Sequence, residues 1–593
     1  MSTGRDDIID TRWMVPLLWG LPWLAFGQAL SGDFLWDDDR NVSHNPTLVG
    51  VTGLARIWFD PWANQQYYPL THTSFWLERQ LFGLWAPGFH LTNLLLHGAA
   101  SVLVWRLARA LQVPGGAIAA LLFAVHPLQA ETVCWITERK NLLSLVLALL
   151  ATHRLCRAFG ATQESIRPRD LWLGVVFFLA ATSAKTIVVG VPIVVFAVIW
   201  WKRGRASRVC YGSLGSLFGV GVAFGLTTAW LERTSVGAVG ERWEFSFLER
   251  LAVAGKCWWF YPLKYVAPVD LMFIYPRWEP AAHLIGGWLA LFGAALLSLA
   301  SWWFGSRYGR GAMVLIVSYW LLIGPALGFF DLYFFYYAFV QHHFAYHASV
   351  PVLLAIAAGL TFGLDRLRLD RRWGLLLLLV LIPLSWREAI QFRDALSLWN
   401  ETTRRNPGAW MAHINLGNEY QRRAELELAE RAYRAALAAR PGYDEALYNL
   451  GVIAAARGDL DGARHWYQEA LRVSPGFARA YNNLGSLESR AGNYRLAVDL
   501  LSRAVELEPR YGLARENLAI ALWLDGQREQ ALAQLQAGLR LTPDDELLMA
   551  RLLRVLIELG RGPEARQQLQ QYLDRGGVLP DEVIAAVAGA VER

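Results

Sequence analysis

Apolar and polar positions divide the chain into two unlike parts. Up to about Arg387, long apolar runs alternate with short polar stretches. Beyond it the chain is rich in Ala, Leu, Arg and Glu, and long apolar runs almost vanish. Apolar segments suited to a bilayer cover 12–30, 90–110, 114–130, 140–157, 170–184, 186–201, 209–230, 283–304, 311–330, 338–363 and 373–386. A bilayer core takes about 20 apolar residues in a helix, and only helices and closed barrels satisfy their backbone there. The pattern therefore predicts an all-α fold with about eleven membrane spans over residues 1–390, followed by a second domain over 391–593.

The second domain repeats. Pro407, Pro441, Pro475, Pro509 and Pro543 are each 34 residues apart. Asn415, Asn449, Asn483 and Asn517 keep that period, as do Leu416, Leu450, Leu484 and Leu518. Gly417, Gly451 and Gly485 follow them, with Ala519 in the fourth copy, and Ala429, Ala463, Ala497 and Ala531 hold a small-residue position. This is the tetratricopeptide pattern, in which each helix pair buries its apolar face only by stacking on the next. It predicts about four good repeats, a degenerate fifth near Leu552 to Leu573 and a capping helix. Such an α-solenoid has a concave groove suited to an extended peptide, and Asn449 and Asn483 are placed either to bind a peptide backbone there or to pack within the repeats.

Composition narrows the class. Hydrophobic residues make up 54% of the chain and charged ones 18%, the balance of a membrane protein. The net charge of +6 is carried by short basic loops rather than by an aromatic-interleaved patch of the kind nucleic-acid binders use. Those loops contain Arg106 and Arg109; Arg154, Arg157, Arg167 and Arg169; Lys202, Arg203, Arg205 and Arg208; Arg307 and Arg310; and Arg366, Arg368, Arg371 and Arg372. Basic short loops stay in the cytoplasm. The N-terminus is then cytoplasmic, while the first long loop, 31–87, and the repeats lie outside, which requires an odd number of spans. Pro16 to Leu30 lacks a basic leader and cleavage site, so the first apolar segment is expected to remain as an anchor. Cys134, Cys156, Cys210 and Cys257 have no metal-like spacing and read as buried thiols.

Candidate chemistry gathers at the outer face. Asp37, Asp38 and Asp39 follow the first apolar segment, where carboxylates are costly to place by accident. Adjacent side chains diverge, so at most two of the three work together. Glu131, Arg139 and Lys140 lie in the polar turn His126–Lys140; Lys185 separates two apolar runs; His342, His343 and His347 open another span. An acidic corner beside several cations fits a lipid-phosphate donor: the cations hold the phosphate while a carboxylate activates an acceptor hydroxyl. No second acidic pair beyond Glu131 stands out, so no obligatory metal or other cofactor is expected.

The same stretches, in this order, resemble a known family. Trp36-Asp-Asp through Asn45-Pro46, Tyr68-Pro-Leu-Thr71 to Phe89-His-Leu-Thr-Asn-Leu-Leu-Leu-His97, His126-Pro through Arg139-Lys140, Ala184-Lys185, Phe273-Ile-Tyr-Pro276 and His343-Phe-Ala-Tyr346 are similar to the TMTC-type (transmembrane and tetratricopeptide-repeat) protein O-mannosyltransferases and their bacterial relatives. The resemblance implies a GT-C glycosyltransferase fold and inverting transfer of a sugar, mannose by analogy, from a polyprenyl-phosphate carrier to protein Ser or Thr. It implies Asp37 and Asp38 as the catalytic pair; Lys185, Arg139 and Lys140 on the donor phosphate; Glu131, His343 and Tyr346 around the donor. Some relatives have Arg where Tyr68 stands and an acid where His342 stands, which bears on sugar choice. Two other readings compete: a ligase moving a lipid-linked oligosaccharide or polymer onto protein or lipid, and a non-enzymatic envelope scaffold built on the repeats. The expected location is a bacterial inner membrane.

Overall fold

A computed structural model describes residues 9–235, 244–330 and 333–591. Every regular element among them is helical. The chain forms two compact units, Met1–Ala409 and Trp410–Arg593. The division falls later than residue 390 because helix Ala395–Arg405 belongs to the first unit. Its Trp399 is fully buried against Trp36 and Phe273, and Arg405 makes a bidentate pair with Glu388 at 2.9 and 3.0 Å.

Six helices of the first unit are long and apolar enough to cross a membrane: Ala86–Ala110, Thr186–Arg203, Arg208–Leu231, Ala281–Gly305, Ser349–Arg366 and Arg371–Ile390. Gly116–Val125 and Pro127–Cys134, bent by 52° at His126, make a seventh if counted as one broken span. The other expected spans are shorter or more polar. Thr11–Phe26 and Arg169–Ala184 have 16 residues each, about 24 Å of helix against a core of about 30 Å. Arg139–Ala158 carries His153, Arg154 and Arg157 in its last turns.

Burial separates central helices from peripheral ones. Ala86–Ala110 packs against Thr11–Phe26, Gly116–Val125 and Arg139–Ala158 and is mostly buried. Ala281–Gly305 is the opposite case: Ile285, Leu289, Phe292 and Trp303 are exposed, an apolar surface that suits lipid. The stretch 231–280, which lies between two of the expected spans, contains a 20-residue helix, Phe247–Val266. A capping box of Ser246 and Glu249 starts it. It lies so close to Leu284–Tyr308 that a Cβ on Gly255 would stand 2.1 Å from the Gly287 carbonyl oxygen, the tight approach that small residues permit between helices.

The second unit is a stack of helix pairs: Trp410–Arg422 with Leu426–Ala439, Asp444–Ala456 with Leu460–Val473, Ala478–Arg490 with Tyr494–Leu507, Gly512–Leu524 with Arg528–Leu541, and Glu546–Glu558 with Gly562–Asp574. Asp581–Val591 follows the fifth pair. The period has a packing cause. A Cβ on Gly417 would meet the Tyr433 ring at 2.4 Å and one on Gly451 the Tyr467 ring at 2.5 Å. Ala429, Ala463, Ala497 and Ala531 are fully buried where the partner helices touch.

Candidate functional site

The acidic loop is held by Trp36 and Asp38. Trp36 adopts a left-handed backbone, φ 45°, which turns its indole into an aromatic cage. Trp135 stacks on it at 5.7 Å between centroids, and Trp399 and Phe273 meet it edge-on at 5.6 and 6.0 Å. Asp38 is fully buried. One carboxylate oxygen accepts from the Thr137 amide at 2.8 Å and from the Thr137 hydroxyl; the other accepts from the Leu35 amide at 2.8 Å. Burial pushes the Asp38 carboxyl up to about 7, against the pull of those three donors. Asp38 thus ties its loop to Thr137, 99 residues further along the chain.

Asp37 stands differently. It is half-buried, and its carboxylate accepts no hydrogen bond from the described residues. Burial raises its affinity for a proton; the charge of Lys140 opposes this, Glu138 adds to it, and Arg40 and His343 oppose it. These neighbours form a connected polar floor. Lys140 Nζ pairs with Glu138 at 3.1 Å, Asn141 Nδ2 donates to Glu138 and to the His343 carbonyl, and Lys185 Nζ donates to Asn141 Oδ1 at 2.9 Å. Burial pushes the Glu138 carboxyl up, but His343, Lys140 and Lys185 outweigh it and hold it at about 2. His343 Nδ1 lies 2.5 Å from Glu131 Oε1, and His342 Nδ1 lies 3.6 Å from the other Glu131 oxygen. Burial lowers His342 to about 3, so this ring sits there neutral, its Nε2 2.8 Å from the Tyr275 hydroxyl.

Asp37, Lys140, Lys185, His343 and Glu131 therefore gather into one region. Arg139 is turned the other way: fully buried, it donates to Glu78 at 2.8 Å, to the Phe89 carbonyl at 2.7 Å and to Asn93. Its donors are committed to the fold, a buried ion pair between neighbouring helices. Tyr346 is also fully buried, its hydroxyl 2.8 Å from His97 Nδ1. In the repeats, Asn449 Nδ2 lies 3.3 Å from Asn418 Oδ1 and Asn483 Nδ2 donates to the Tyr448 hydroxyl at 3.0 Å, so both link neighbouring helix pairs. All four cysteines are buried free thiols. Thr137, Glu138 and Asn141 are the site residues sequence reasoning passed over. Glu138 beside two cations, inside the polar stretch between apolar runs, was the available signal.

A narrow apolar cleft of about 90 Å³ runs beside this floor, between Ala86–Ala110, Arg139–Ala158, Val191–Arg203, Gly311–Ile323 and Ser349–Arg366. Leu107, Leu149, Val194, Val198 and Leu322 line it, with His347 among them. Ser144 Oγ is 2.9 Å from His347 Nε2, and Ser144 lies one turn from Asn141, which receives Lys185. His347, Ser144 and Asn141 thus link the cleft to Lys185. Among the described residues no group of three or more His, Cys, Asp or Glu is arranged to hold a metal ion.

Apolar helices of spanning length, a charged floor beside an apolar cleft and a tetratricopeptide solenoid define a helical membrane protein with a repeat domain. The tetratricopeptide repeat family model matches residues 414–478 and 482–546. The protein O-mannosyl-transferase TMTC4 of Mus musculus is 32% identical over 187 residues, 27% of this chain and 25% of that one. Tmtc2 of Drosophila melanogaster, also a protein O-mannosyl-transferase, is 34% identical over 176 residues, 28% of this chain and 19% of that one. This chain is thus similar to the TMTC protein O-mannosyltransferases, over about a quarter of the length of the relatives it matches. Among solved structures, MamA from Desulfovibrio magneticus is 21% identical, covering 28% of this chain and 94% of that one with a TM-score of 0.26; pilF of Pseudomonas aeruginosa is 24% identical, covering 31% and 84% with a TM-score of 0.28.

Proposed function

We propose that the protein is a membrane glycosyltransferase that moves a sugar, mannose by likeness to its relatives, from a polyprenyl-phosphate carrier to Ser or Thr hydroxyls of proteins. The observation that carries this reading is the state of Asp37: a half-buried carboxylate that accepts no hydrogen bond from the described residues, under the charges of Lys140 and His343. Asp37 takes the proton of the acceptor hydroxyl. The hydroxyl oxygen bonds to the sugar's anomeric carbon as the bond from that carbon to the phosphate oxygen breaks. The electron pair leaves on the phosphate, and the configuration inverts. Lys140, Lys185 and His343 face the charge that develops there. Glu131 orients His343, and Asp38, through Thr137, holds the loop that aims Asp37. The apolar cleft, linked to Lys185 through His347, Ser144 and Asn141, suits the polyprenyl chain. In this reading the site faces the extracytoplasmic side of a bacterial inner membrane, with the N-terminus inside and the repeats outside recruiting the acceptor, and the basic short loops support that orientation.

The test is transfer from polyprenyl phosphomannose to a Thr-containing peptide by the full chain in lipid nanodiscs. Mannosylated peptide with inverted anomeric configuration is expected. No transfer from that donor, with transfer from a polyprenyl-pyrophosphate oligosaccharide instead, would make the protein a ligase and overturn the reading.

A further inference from the structure

The turn that follows Asp37 opens onto a second cavity. Asp39–Ser43 forms one π-helical turn. Arg40, Asn41 and His44 line one side of a polar cavity of about 390 Å³, and Trp62, Asn64 and Gln65 the other. Thr234 also lines it, and no carboxylate is among the lining residues described. Arg40 is exposed, and its guanidinium makes no ion pair or hydrogen bond with the described residues. Neighbouring cations differ: Arg56 lies 3.8 Å from Asp60, Arg79 donates to the Ser43 carbonyl at 3.2 Å, and Lys140 pairs with Glu138. The cavity is tied to Asp37, because Asn41 Nδ2 donates to the Asp37 carbonyl at 2.8 Å. Arg40 also acts on Asp37 from a distance: burial raises that carboxyl, and Arg40 is among the charges that oppose it.

We propose that this cavity is an acceptor subsite in which Arg40 selects polypeptides carrying an acidic residue next to the accepting Ser or Thr. The inference rests on the glycosyltransferase reading of Asp37. An acceptor hydroxyl must come within about 3 Å of the base. The next residues of an extended chain follow at about 3.4 Å each, and Arg40, three residues on from Asp37 in the chain, is close enough for its charge to act on that carboxyl. A guanidinium with no acid among the described residues around it favours a carboxylate and disfavours a cation. Trp62, 54% exposed, gives the bound chain a flat apolar wall.

Three Thr peptides test this in nanodiscs with polyprenyl phosphomannose, flanked on both sides by Asp, by Gly or by Lys. In the wild-type protein the kcat/KM ratio of Asp-flanked to Lys-flanked peptide should exceed unity by about three- to fivefold, the scale of an exposed Arg–carboxylate pair. Arg40→Gln should bring the ratio near one and Arg40→Glu should invert it. Each ratio is internal to its variant, so a general loss of rate does not disturb it. A ratio that stays at the wild-type value in Arg40→Glu, or in Arg40→Gln where Arg40→Glu fails to fold, overturns the proposal. Equal use of the three peptides by wild type overturns the subsite alone. Transfer to none of them overturns the glycosyltransferase reading, and this one with it.

Discussion

Replacing each of two adjacent aspartates by asparagine should have opposite signatures. Asp37→Asn removes the proposed base, whose carboxylate accepts no hydrogen bond from the described residues, so it breaks none of their hydrogen bonds. Its cost falls on the chemical step, about 10²- to 10⁴-fold in kcat, or ~3–5 kcal/mol of transition-state stabilisation. Thermal stability should hold or rise, because a half-buried charge is neutralised. Asp38→Asn leaves one oxygen and one amide nitrogen where three donors from Leu35 and Thr137 converge. With the oxygen on Thr137, the new amide faces the Leu35 N–H and that bond is lost. Hydrogen bonds to charged groups contribute about 1.5–3 kcal/mol each, so the loop should loosen by roughly that amount and the melting temperature should fall. A base displaced by 1 Å loses about 100-fold in rate, so activity falls as well. The assay is kcat from polyprenyl phosphomannose at pH 8, above the value of about 7 to which burial pushes Asp38, with a melting curve for each variant. An active Asp37→Asn protein, or an Asp38→Asn protein as stable as wild type and fully inactive, would refute the division of roles.

Three further outcomes follow from the same geometry. Because burial raises Asp37 and Lys140 opposes it, the acidic limb of kcat/KM should lie above the ordinary carboxylate range, with activity rising with pH through it. Lys140→Met should move that limb upward and Glu138→Gln downward, and a pH–rate profile unmoved by either would count against Asp37 as the base. Arg139→Met should cost about 3–5 kcal/mol of stability, because it leaves Glu78 buried and unpaired. Restoration of stability by adding Glu78→Met checks that, while donor KM per folded molecule stays near wild type. Leu149→Trp should fill the apolar cleft and raise KM about tenfold for a long polyprenyl donor while sparing one of two isoprene units; an equal effect on both would place the lipid elsewhere.

The repeats were legible because each periodic residue has a local cause. Gly451 is needed where Tyr467 of its own helix pair lies across it, 16 residues on, and the next copy repeats the reason. The membrane part was legible as apolar runs but not as spans. Thr11–Phe26 and Arg169–Ala184 are apolar yet short, and Phe247–Val266 hid as a loop because Arg250, Lys256 and Lys264 interrupt its apolar residues. Lys256 stands over the Trp278 ring at 4.5 Å, a partner that local pattern does not contain. Arg139 and Lys140 make the point at the site: neighbours in sequence, they turn to opposite sides, one to Glu78 and one to Glu138.

Asp37 and Asp38 follow the same logic. A loop cannot aim a carboxylate unless something fixes the loop, and a fully buried carboxylate that binds three donors is a strong fixing point. The anchor is itself occupied: its oxygens accept three hydrogen bonds, although burial raises its affinity for a proton. The pair therefore divides into a residue held by Thr137 and a residue left open toward Lys140 and His343. Thr137 is remote in sequence, so composition and spacing pick out the pair but leave the proposed division open; the contact across 99 residues is what favours it. Thr137→Val should then partly reproduce Asp38→Asn, since it removes the hydroxyl donor and keeps the amide. If it alters neither the melting temperature nor kcat, the anchor lies elsewhere, and Asp38 regains its claim to the proton.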